Sequence, residues 1–565
     1  MKHFDNTLRR IFSPGVLLWF YPLLLIVPNV ALDITEYSTA WSKATNILLP
    51  FGFYILIMGI WKNVGRTALL LFPFLFYGAF QVVLLYLYGE SIIAVDMFLN
   101  LVTTNVSEAT ELLGNLVGAI ITLLIVYVPT LIWCVISAIK RIYASRPSLL
   151  RARYCGVVSI FIGLTCMFMA YAFDVRFSIN SDIFPVNVIH NTIIAIQRTK
   201  ATGNYYKTSE GFSYKAHSSR PADKKEVYVL VIGETSRADD WQLFGYGRPT
   251  NPLLTKRDGL IAYPKTLSES NTTHKSVPLM LSWVSAENFA DSIYTTKSLI
   301  SAFNEAGFAT AYLSNQGRNH SFIDFFAREA QKTVFLTDNG HSHHDEELLP
   351  LLHDFIEQST NSKIMVILHT YGSHFNYMDR YPSSFSVFLP DKTADADVFN
   401  RNELINAYDN SIRFTDYVLN RVIDMLENRQ CLSGMIYLSD HGEDIFDDKR
   451  NRFLHASPVP TYWQIHVPLI IWMSPQFKEA YPMLYANANN NSGKNVSSSR
   501  SVFDTMMQLG GIITPYADKT KSLIDSAYTE TPRLYLNDHN KAVNLEKAGL
   551  QNYDYEMLKQ KNIAH

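Results

Sequence analysis

Two stretches of the chain, Tyr437-Leu-Ser-Asp-His-Gly-Glu443 and Val231-Ile-Gly-Glu-Thr235, decide its fold. Each is an apolar run typical of a buried strand, and each stops at a carboxylate or an imidazole. Because buried parallel strands deliver their last side chains to one edge of a sheet, we expect Glu234, Asp440 and His441 to meet there. Oxygen and imidazole ligands of this kind suit zinc or manganese. The sequence therefore predicts a metal site at a sheet edge.

Plainer interpretations of these residues stay open at this point. Glu234 alone could cap a helix, and Asp440 with His441 could form a polar turn after a buried strand. His341-Ser-His-His-Asp345 also looks like a metal cluster, but it lies in a polar stretch and is interpreted as a solvated loop.

The sequence around the two stretches alternates between strand-like and helix-like segments. Strands are predicted at 227–232, 309–313, 364–368, 435–438 and 467–473. Helices are predicted at 297–306 and 346–358, followed by a long helix whose apolar face runs from Leu404 to Leu426. This alternation predicts a mainly parallel central sheet covered by helices. The Asn- and Ser-rich stretch 487–499 is predicted to be a surface loop.

The first 173 residues have a different character. Five uncharged apolar stretches, at 14–32, 45–61, 67–89, 112–139 and 155–173, are each about as long as a helix that crosses a bilayer. No small-residue cleavage site follows the first of them, so it is not predicted to be a removed signal peptide. The sequence therefore predicts a five-helix transmembrane bundle.

Charged residues between these stretches predict their orientation. Basic residues precede the first stretch, follow the second and separate the fourth from the fifth, whereas the alternate loops are mostly acidic. The basic ones are Lys2, Arg9, Arg10, Lys62, Arg66, Lys140, Arg141, Arg146, Arg151 and Arg153. The N-terminus is therefore predicted to be cytoplasmic, and everything after Asp174 is predicted to lie outside.

Three domains follow from this organisation. A transmembrane domain with five helices is predicted at 1–173, a membrane-proximal amphipathic segment and linker at 174–226, and an exported α/β domain at 227–565. A net charge of −2 gives no case for a nucleic-acid partner. Of the four cysteines only Cys431 belongs to the exported part, so that part has no internal disulfide and relies on its core.

Several further motifs follow one another along the chain. They are Thr103-Thr-Asn-Val-Ser-Glu-Ala-Thr-Glu-Leu-Leu113, Gly233-Glu-Thr-Ser-Arg237, Phe244-Gly-Tyr-Gly-Arg-Pro-Thr-Asn-Pro252, Asn271-Thr-Thr-His-Lys-Ser-Val-Pro278, His369-Thr-Tyr-Gly-Ser-His-Phe-Asn-Tyr377, Arg380-Tyr-Pro382, Tyr408-Asp-Asn-Ser411, Ser439-Asp-His-Gly-Glu443 and Leu454-His455. In order and spacing this pattern resembles the lipid phosphoethanolamine transferases of the alkaline phosphatase superfamily, the group that includes the colistin-resistance enzymes. The resemblance implies a transmembrane bundle followed by an alkaline-phosphatase-like α/β domain.

The resemblance also implies a catalytic site. A threonine shortly before Ser276-Val-Pro278 is the family nucleophile, and that alignment selects Thr273 rather than Thr272. Glu234, Asp440, His441 and the Thr273 hydroxyl would form a tetrahedral zinc site, with manganese the less suitable metal. Such a site meets a chemical need, because a hydroxyl is a poor nucleophile until a metal lowers its pKa. Taken alone, Thr273 would be interpreted as a surface loop hydroxyl.

Three more residues match family positions. His374 and His455 correspond to histidines that face the phosphoryl group or hold a second metal, so the choice between one zinc ion and two stays open. A lone strand-end histidine is more often structural. Asn315 aligns with a family loop that contacts the phosphoethanolamine. Many relatives carry disulfides beside the nucleophile, and their absence here leaves the rigidity of the Thr273 loop open.

The resemblance implies an enzyme of the bacterial inner membrane with a periplasmic catalytic domain. It would transfer phosphoethanolamine from phosphatidylethanolamine to a lipid A or lipopolysaccharide core acceptor, through a phosphoethanolamine-threonine intermediate and with release of diacylglycerol. The product carries less negative charge, so cationic peptides such as polymyxin would bind the cell surface less tightly.

Other functions are weighed against this one. A glycerol-phosphate transferase of the same superfamily, acting on a periplasmic glycan, also combines five spans with a threonine nucleophile. A sulfatase needs Cys or Ser followed by Pro and Arg, which the nucleophile loop lacks. A binding module with an inactive site is disfavoured because every expected ligand is retained.

Overall fold

The computed structural model describes residues 13–35, 39–88, 93–103, 117–174, 177–341, 343–393 and 395–565. These form two compact units. The first contains the described residues up to 99 and from 117 to 197, and the second contains 100–103 and 198–565. Two groups of residues used above lie outside the described ones. They are charged residues used for the orientation, namely the basic Lys2, Arg9 and Arg10 and the acidic Glu36, Glu90, Glu108 and Glu111 of the alternate loops, and positions 104–113 of the motif that begins at Thr103.

In the described part of the first unit, all regular secondary structure is helical. The helices that lie or begin in it are α1 (Pro14–Leu25), α2 (Val27–Thr35), α3 (Ala40–Met58), α4 (Val64–Leu70), α5 (Phe72–Tyr88), α6 (Val95–Thr103), α7 (Val117–Ile139), α8 (Arg146–Phe173), α9 (Ile179–Asp182) and α10 (Val186–Gly203). Within α10, Ile189, Ile193 and Ile196 are exposed on one side. The amphipathic segment predicted within 174–226 is therefore helical from Val186 onward.

Among the described residues, three helical stretches are long and apolar enough to cross a membrane: Pro14–Thr35, Ile120–Ile139 and Arg146–Phe173. A fourth span results if the bent pair Val64–Leu70 and Phe72–Leu85, with 55° between its halves, counts as one. Five spans are not confirmed. Most of the stretch predicted at 45–61 lies in α3. The first half of this helix carries the polar Lys43 and Asn46 and is therefore less apolar than its second half.

Helix α3 nevertheless packs inside the first unit. A Cβ added at Gly52 would lie 2.8 Å from the backbone nitrogen of Ile160 in α8, and one at Gly156 would lie 3.0 Å from Cα of Leu56. Glycine at these positions permits the close backbone approach that is common between membrane helices.

The second unit mixes strands and helices. Its strands are β1 (His217–Ser218), β2 (Glu226–Gly233), β3 (Leu260–Ala262), β4 (Thr266–Leu267), β5 (Ala309–Ser314), β6 (Lys332–Phe335), β7 (Lys363–His369), β8 (Leu432–Ser439), β9 (Asp444–Ile445), β10 (Phe453–Leu454), β11 (Leu469–Met473), β12 (Val496–Ser497), β13 (Ile512–Ile513), β14 (Leu534–Leu536) and β15 (Ala542–Asn544). Its helices are α11 (Tyr205–Thr208), α12 (Thr273–Leu281), α13 (Phe289–Ser292), α14 (Leu299–Glu305), α15 (Phe322–Ala327), α16 (Leu348–Gln358), α17 (Arg401–Asn428), α18 (Tyr462–Ile465), α19 (Pro475–Ala480), α20 (Pro482–Asn491), α21 (Ser498–Leu509) and α22 (Asn552–Gln560).

A seven-stranded sheet with the order β3-β11-β8-β2-β7-β5-β6 forms the centre of this unit. The strands β8, β2, β7, β5 and β6 are parallel to one another. Strand β11 is antiparallel to both of its neighbours, β8 and β3. Separate apolar cores cover the two faces, and successive residues of β2, such as Leu230 and Val231, point into opposite cores. The predicted, mainly parallel α/β sheet is confirmed.

One local prediction is wrong. The stretch 487–499, expected to be a surface loop, contains the end of α20, the strand β12 and the start of α21. Ala488 is fully buried, and Nδ2 of Asn491 donates hydrogen bonds to the carbonyls of Leu523 and Asp525 at 2.9 Å each. Tertiary contacts of this kind override the weak helix propensity of asparagine.

Candidate active site

The expected metal ligands at the two strand ends lie side by side. β2 and β8 are parallel neighbours, and Gly233 at the end of β2 pairs with Ser439 at the end of β8. The next residues are Glu234 and Asp440, and both are buried, as is His441. The register of the sheet thus brings together side chains from distant parts of the sequence.

Thr273 is the first residue of α12, and its hydroxyl faces these strand ends. Its Oγ1 lies 3.3 Å from Oε1 and 3.4 Å from Oε2 of Glu234. The same oxygen lies 3.1 Å from Nε2 of His441. Thr273 is only partly buried.

Around Nε2 of His441 lie acceptor atoms that have few hydrogen-bond donors between them. Its Nδ1 lies 2.9 Å from the carbonyl oxygen of Gly442 and donates to it, so Nε2 carries a lone pair. Nε2 lies 3.5 Å from Oε1 of Glu234 and 3.3 Å from Oδ2 of Asp440, and this Oδ2 is buried without a hydrogen-bond donor. Lone pairs crowded into one buried volume repel one another unless a cation lies among them. The residues present therefore fit a divalent metal such as zinc.

Two neighbours that the sequence analysis did not select hold the Glu234 carboxylate. Oγ1 of Thr235 donates to Oε1 at 2.7 Å. Nε2 of Gln316 donates to Oε2 at 3.1 Å and to the carbonyl of Thr370 at 2.9 Å. The one sequence signal for Gln316 is its position two residues after the strand β5, at the same sheet edge.

A tight loop after β7 presses against Glu234 from the other side. Gly372 has a φ of +56°, and a Cβ there would lie 2.6 Å from the carbonyl oxygen of Glu234. The carboxylate of Asp345 accepts from the backbone nitrogens of Tyr371 at 2.7 Å and Gly372 at 2.9 Å. Asp345 is 4% exposed, so its part of the histidine-rich stretch is buried structure and not solvated loop.

His374 and His455 lie next to the same cluster. The ring centroids of His441 and His455 are 4.2 Å apart, and those of His374 and His455 are 5.6 Å apart. Glu234, His441 and His455 offer ligand atoms that all lie within 4.8 Å of one another. Nδ1 of His455 lies 3.4 Å from Oε2 of Glu443, a buried carboxylate that the sequence analysis quoted but did not assign to the site.

Burial decides the charge of these groups. It lowers the pKa of His374 and of His441 to about 3 each, and nearby imidazoles add to both effects. Burial also lowers the pKa of His455 far below its usual value. Conversely, burial raises the pKa of Asp440 and of Glu443. All three imidazoles are therefore neutral at physiological pH, the form that binds a metal or accepts a proton.

The side-chain amide of Asn315 bonds to residues of the histidine-rich stretch. Its Nδ2 donates to Oδ1 of Asp345 at 2.8 Å and to the carbonyl of His343 at 3.0 Å. These contacts connect Asn315 to the carboxylate that holds the Gly372 loop. The neighbouring Gln316, not Asn315, reaches Glu234.

Hydrogen bonds hold the loop before Thr273, whose rigidity the sequence left open. Nδ2 of Asn271 donates to Oε1 of Gln464 at 2.7 Å, and its Oδ1 accepts from the hydroxyl of Tyr535 at 2.7 Å. Oγ of Ser268 donates to the carbonyl of Asp440 at 2.6 Å. The nucleophile loop is thus connected directly to the backbone of an expected metal ligand.

Comparison with known proteins gives one family match and several relatives. The sulfatase family model matches residues 226–512, slightly more than half of the chain. The phosphoethanolamine transferase EptA of Salmonella typhimurium is 32% identical over 304 residues, which cover 52% of this chain and 55% of that protein. The Kdo(2)-lipid A phosphoethanolamine 7''-transferase of Escherichia coli is 27% identical over 54% of each chain. The chain spans about half the length of the curated relatives it matches.

A solved structure extends the similarity of fold to both units. The integral membrane lipooligosaccharide phosphoethanolamine transferase A of Neisseria meningitidis covers 90% of this chain and 97% of its own, with a TM-score of 0.70 and 22% identity. The periplasmic domain of EptC from Escherichia coli, solved in complex with zinc, covers 60% of this chain and 97% of its own, with a TM-score of 0.54 and 22% identity.

Proposed function

Because the chain belongs to the sulfatase family, we propose that its site performs the reaction named for its relatives, a metal-dependent transfer of phosphoethanolamine to lipid A or a lipopolysaccharide. The observation that carries the proposal is the Thr273 hydroxyl, 3.1 Å from Nε2 of His441 and 3.3 Å from Glu234. A nucleophile beside a predicted metal-ligand set is what a phosphoryl transfer through a covalent intermediate requires.

Zinc is the metal we assign. Glu234, Asp440, His441 and the Thr273 hydroxyl are its proposed ligands, and the zinc-bound EptC domain shares the fold. When bound, zinc supplies the positive charge that lowers the pKa of a hydroxyl and offsets charge on a phosphoryl group. A second ion, if present, would use His374 and His455. Manganese is less suitable, because a four-ligand set that includes the imidazole of His441 favours zinc.

The reaction has two balanced steps. In the first, a bond forms between Oγ1 of Thr273 and the phosphorus of phosphatidylethanolamine, the bond to diacylglycerol breaks, and the hydroxyl proton ends on diacylglycerol. In the second, an acceptor oxygen bonds to the phosphorus, the bond to Thr273 breaks, and the acceptor's proton returns to the threonine. Neutral His374 and His455 would bind the phosphoryl oxygens or carry the proton between these groups.

Both substrates are lipids or lipid-anchored, which agrees with a helical unit that contains membrane-spanning candidates. We propose that the chain is a multi-pass protein of the bacterial inner membrane with a cytoplasmic N-terminus and a periplasmic second unit. The ethanolammonium added to the acceptor would lower its negative charge and so weaken the binding of polymyxin and other cationic peptides.

Lipid mass spectrometry of host cells tests this function. Cells that express the wild-type chain should gain phosphoethanolamine on lipid A or the lipopolysaccharide core, and cells that express Thr273→Ala should not. Gain of glycerol phosphate on a periplasmic glycan would support the alternative transferase instead. No modified lipid or glycan in either strain would contradict both.

A further inference from the structure

The first unit contains a cleft that the proposed transfer reaction does not use. It lies where the end of α3, the start of α4 and the turn after α7 come together, and its volume is about 620 Å³. Among its lining residues are three basic ones, Lys62, Arg66 and Arg141, and two aromatic ones, Trp61 and Tyr143. The volume is within the range of small-ligand sites, about 300–1,000 Å³.

The charge of this cleft is one-sided. Lys62, Arg66 and Arg141 are exposed, and within the described part of the chain none of the three forms an ion pair. The segments 59–66 and 139–153 that build this end of the unit contain seven Lys and Arg residues and no Asp or Glu. Three like charges around one depression create a positive potential, which attracts an anion.

The cleft rests on a fixed frame. The backbone nitrogen of Ala144 donates to the carbonyl of Lys62 at 3.0 Å, and Nδ2 of Asn63 donates to the carbonyl of Ala138 at 3.2 Å. A Cβ added at Gly65 would lie 2.5 Å from the backbone nitrogen of Ala138, so α4 and α7 pack in backbone contact. The segments that carry the three cations are therefore held together before any ligand binds.

The remaining lining of the cleft suits a lipid better than a free ion. Trp61 is 52% exposed and Tyr143 is 55% exposed, and such side chains are enriched where a membrane meets water. Leu70, also in the lining, is 63% exposed and offers an apolar wall. A phospholipid would occupy both the basic and the apolar parts, whereas free phosphate would use only the basic part.

We propose that this cleft binds the phosphate-bearing headgroup of an anionic phospholipid from the leaflet at that end of the bundle. The basic side chains contact the phosphate oxygens, with the guanidinium groups of Arg66 and Arg141 able to form paired hydrogen bonds. Basic pockets between membrane helices bind anionic headgroups by this chemistry. The site differs from the proposed donor site in its preference for net negative charge, and it does not depend on transferase activity.

Native mass spectrometry of the full-length protein tests the proposal. The detergent-purified protein is incubated with phosphatidylglycerol or with phosphatidylcholine, and bound lipids are counted. The variant Arg66→Gln/Arg141→Gln is compared with Arg146→Gln/Arg151→Gln, which removes two exposed charges from the same end outside the cleft. Wild type and control should retain phosphatidylglycerol over phosphatidylcholine, and the cleft variant should bind phosphatidylglycerol about tenfold more weakly.

Equal retention of phosphatidylglycerol by the cleft and control variants would overturn the proposal. Displacement of the lipid by inorganic phosphate at the same concentration would also overturn it, because a lipid that contacts the apolar wall as well should bind more tightly than the free anion. If the double variant does not fold, the single variants Arg66→Gln and Arg151→Gln give the same comparison. Equal lipid retention by these two would likewise contradict the assignment.

Discussion

Nε2 of His441 lies 3.1 Å from Oγ1 of Thr273, although 168 positions separate the two residues in the sequence. The contact joins the end of a central strand to the first residue of a helix. Oδ2 of Asp440 and Oε1 of Glu234 lie within 3.5 Å of the same imidazole nitrogen. Every prediction about the site depends on this cluster.

The first prediction concerns metal content. His441→Ala removes the imidazole ligand and should lower the zinc affinity of the protein by about a hundredfold or more, since even indirect contacts to a metal are worth about 10- to 100-fold. Zinc retained after gel filtration would be measured by elemental analysis. His343→Ala is the matched control, because that imidazole bonds to Glu347 away from the cluster. Equal zinc content in the His441→Ala and His343→Ala proteins would contradict the proposed metal site.

The second prediction separates the two roles left open for His374 and His455. If they bind the phosphoryl group or carry a proton, His455→Ala should lower kcat by about 10²- to 10⁴-fold while the zinc content stays at one. If they hold a second ion, the zinc content should fall from two to one. Unchanged turnover in both His374→Ala and His455→Ala would exclude either role.

The third prediction uses the close approach of Gly372 to Glu234. In Gly372→Ala the new methyl would lie 2.6 Å from the Glu234 carbonyl oxygen, and the residue has a φ of +56°. We expect a loss of about 1–3 kcal/mol in the free energy of unfolding. We also expect weaker zinc binding, because the backbone of Glu234 must move and its carboxylate moves with it. Gly211→Ala is the control, since its Cβ would meet nothing within 4 Å. Similar stability and zinc affinity in the two variants would contradict the steric argument.

The fourth prediction concerns stability against pH. Asp239 pairs with Nδ1 of His466 at 2.7 Å and with Nζ of Lys561 at 2.8 Å. Burial opposes its ionisation, but the pairs with His466 and then Lys561 outweigh burial and hold the pKa of Asp239 below its usual value. A carboxyl with a lowered folded-state pKa stabilises the fold above its unfolded pKa, about 3.9, and loses this contribution as the pH falls below that value.

Asp239→Asn should therefore lower the free energy of unfolding by about 1–3 kcal/mol at pH 7, and by less as the pH falls below about 4. Urea unfolding of the detergent-solubilised wild type and variant, at pH 7 and below about pH 4, measures the difference in their free energy of unfolding. Asp258→Asn serves as the control, because the side chain of Asp258 is 88% exposed and its pair with Lys478 contributes little. If the loss of unfolding free energy in Asp239→Asn does not change with pH, the ion pairs of Asp239 are not its source.

Part of this structure could be predicted because its sequence signals are local. The buried parallel strands β2 and β8 are continuous apolar runs, and Glu234 and Asp440 directly follow them. Thr273 has no such local signal, because nothing in a Thr-Thr pair by itself indicates which hydroxyl is a nucleophile. It was selected through the family motif ending at Ser276-Val-Pro278.

The supports of the site could not be predicted, because they depend on segments that meet only in three dimensions. Gln316 reaches Glu234 across 82 positions, and Asp345 holds the Gly372 loop across 27. Likewise, nothing in an Asn-rich stretch shows that Ala488 will be buried and the segment helical. The span predicted at 45–61 is not confirmed, since α3 ends at Met58 and its 19 residues include the polar Lys43 and Asn46.

The central claim is that Thr273 carries the transferred group. Purified protein would be incubated with zinc and phosphatidylethanolamine without an acceptor, then digested and analysed by peptide mass spectrometry, with Thr273→Ala as the control. We predict a phosphoethanolamine adduct on the peptide at Thr273, absent from the variant and discharged when lipid A is added. An unmodified Thr273 in an enzyme that still releases diacylglycerol, or an adduct on another residue, would contradict the account.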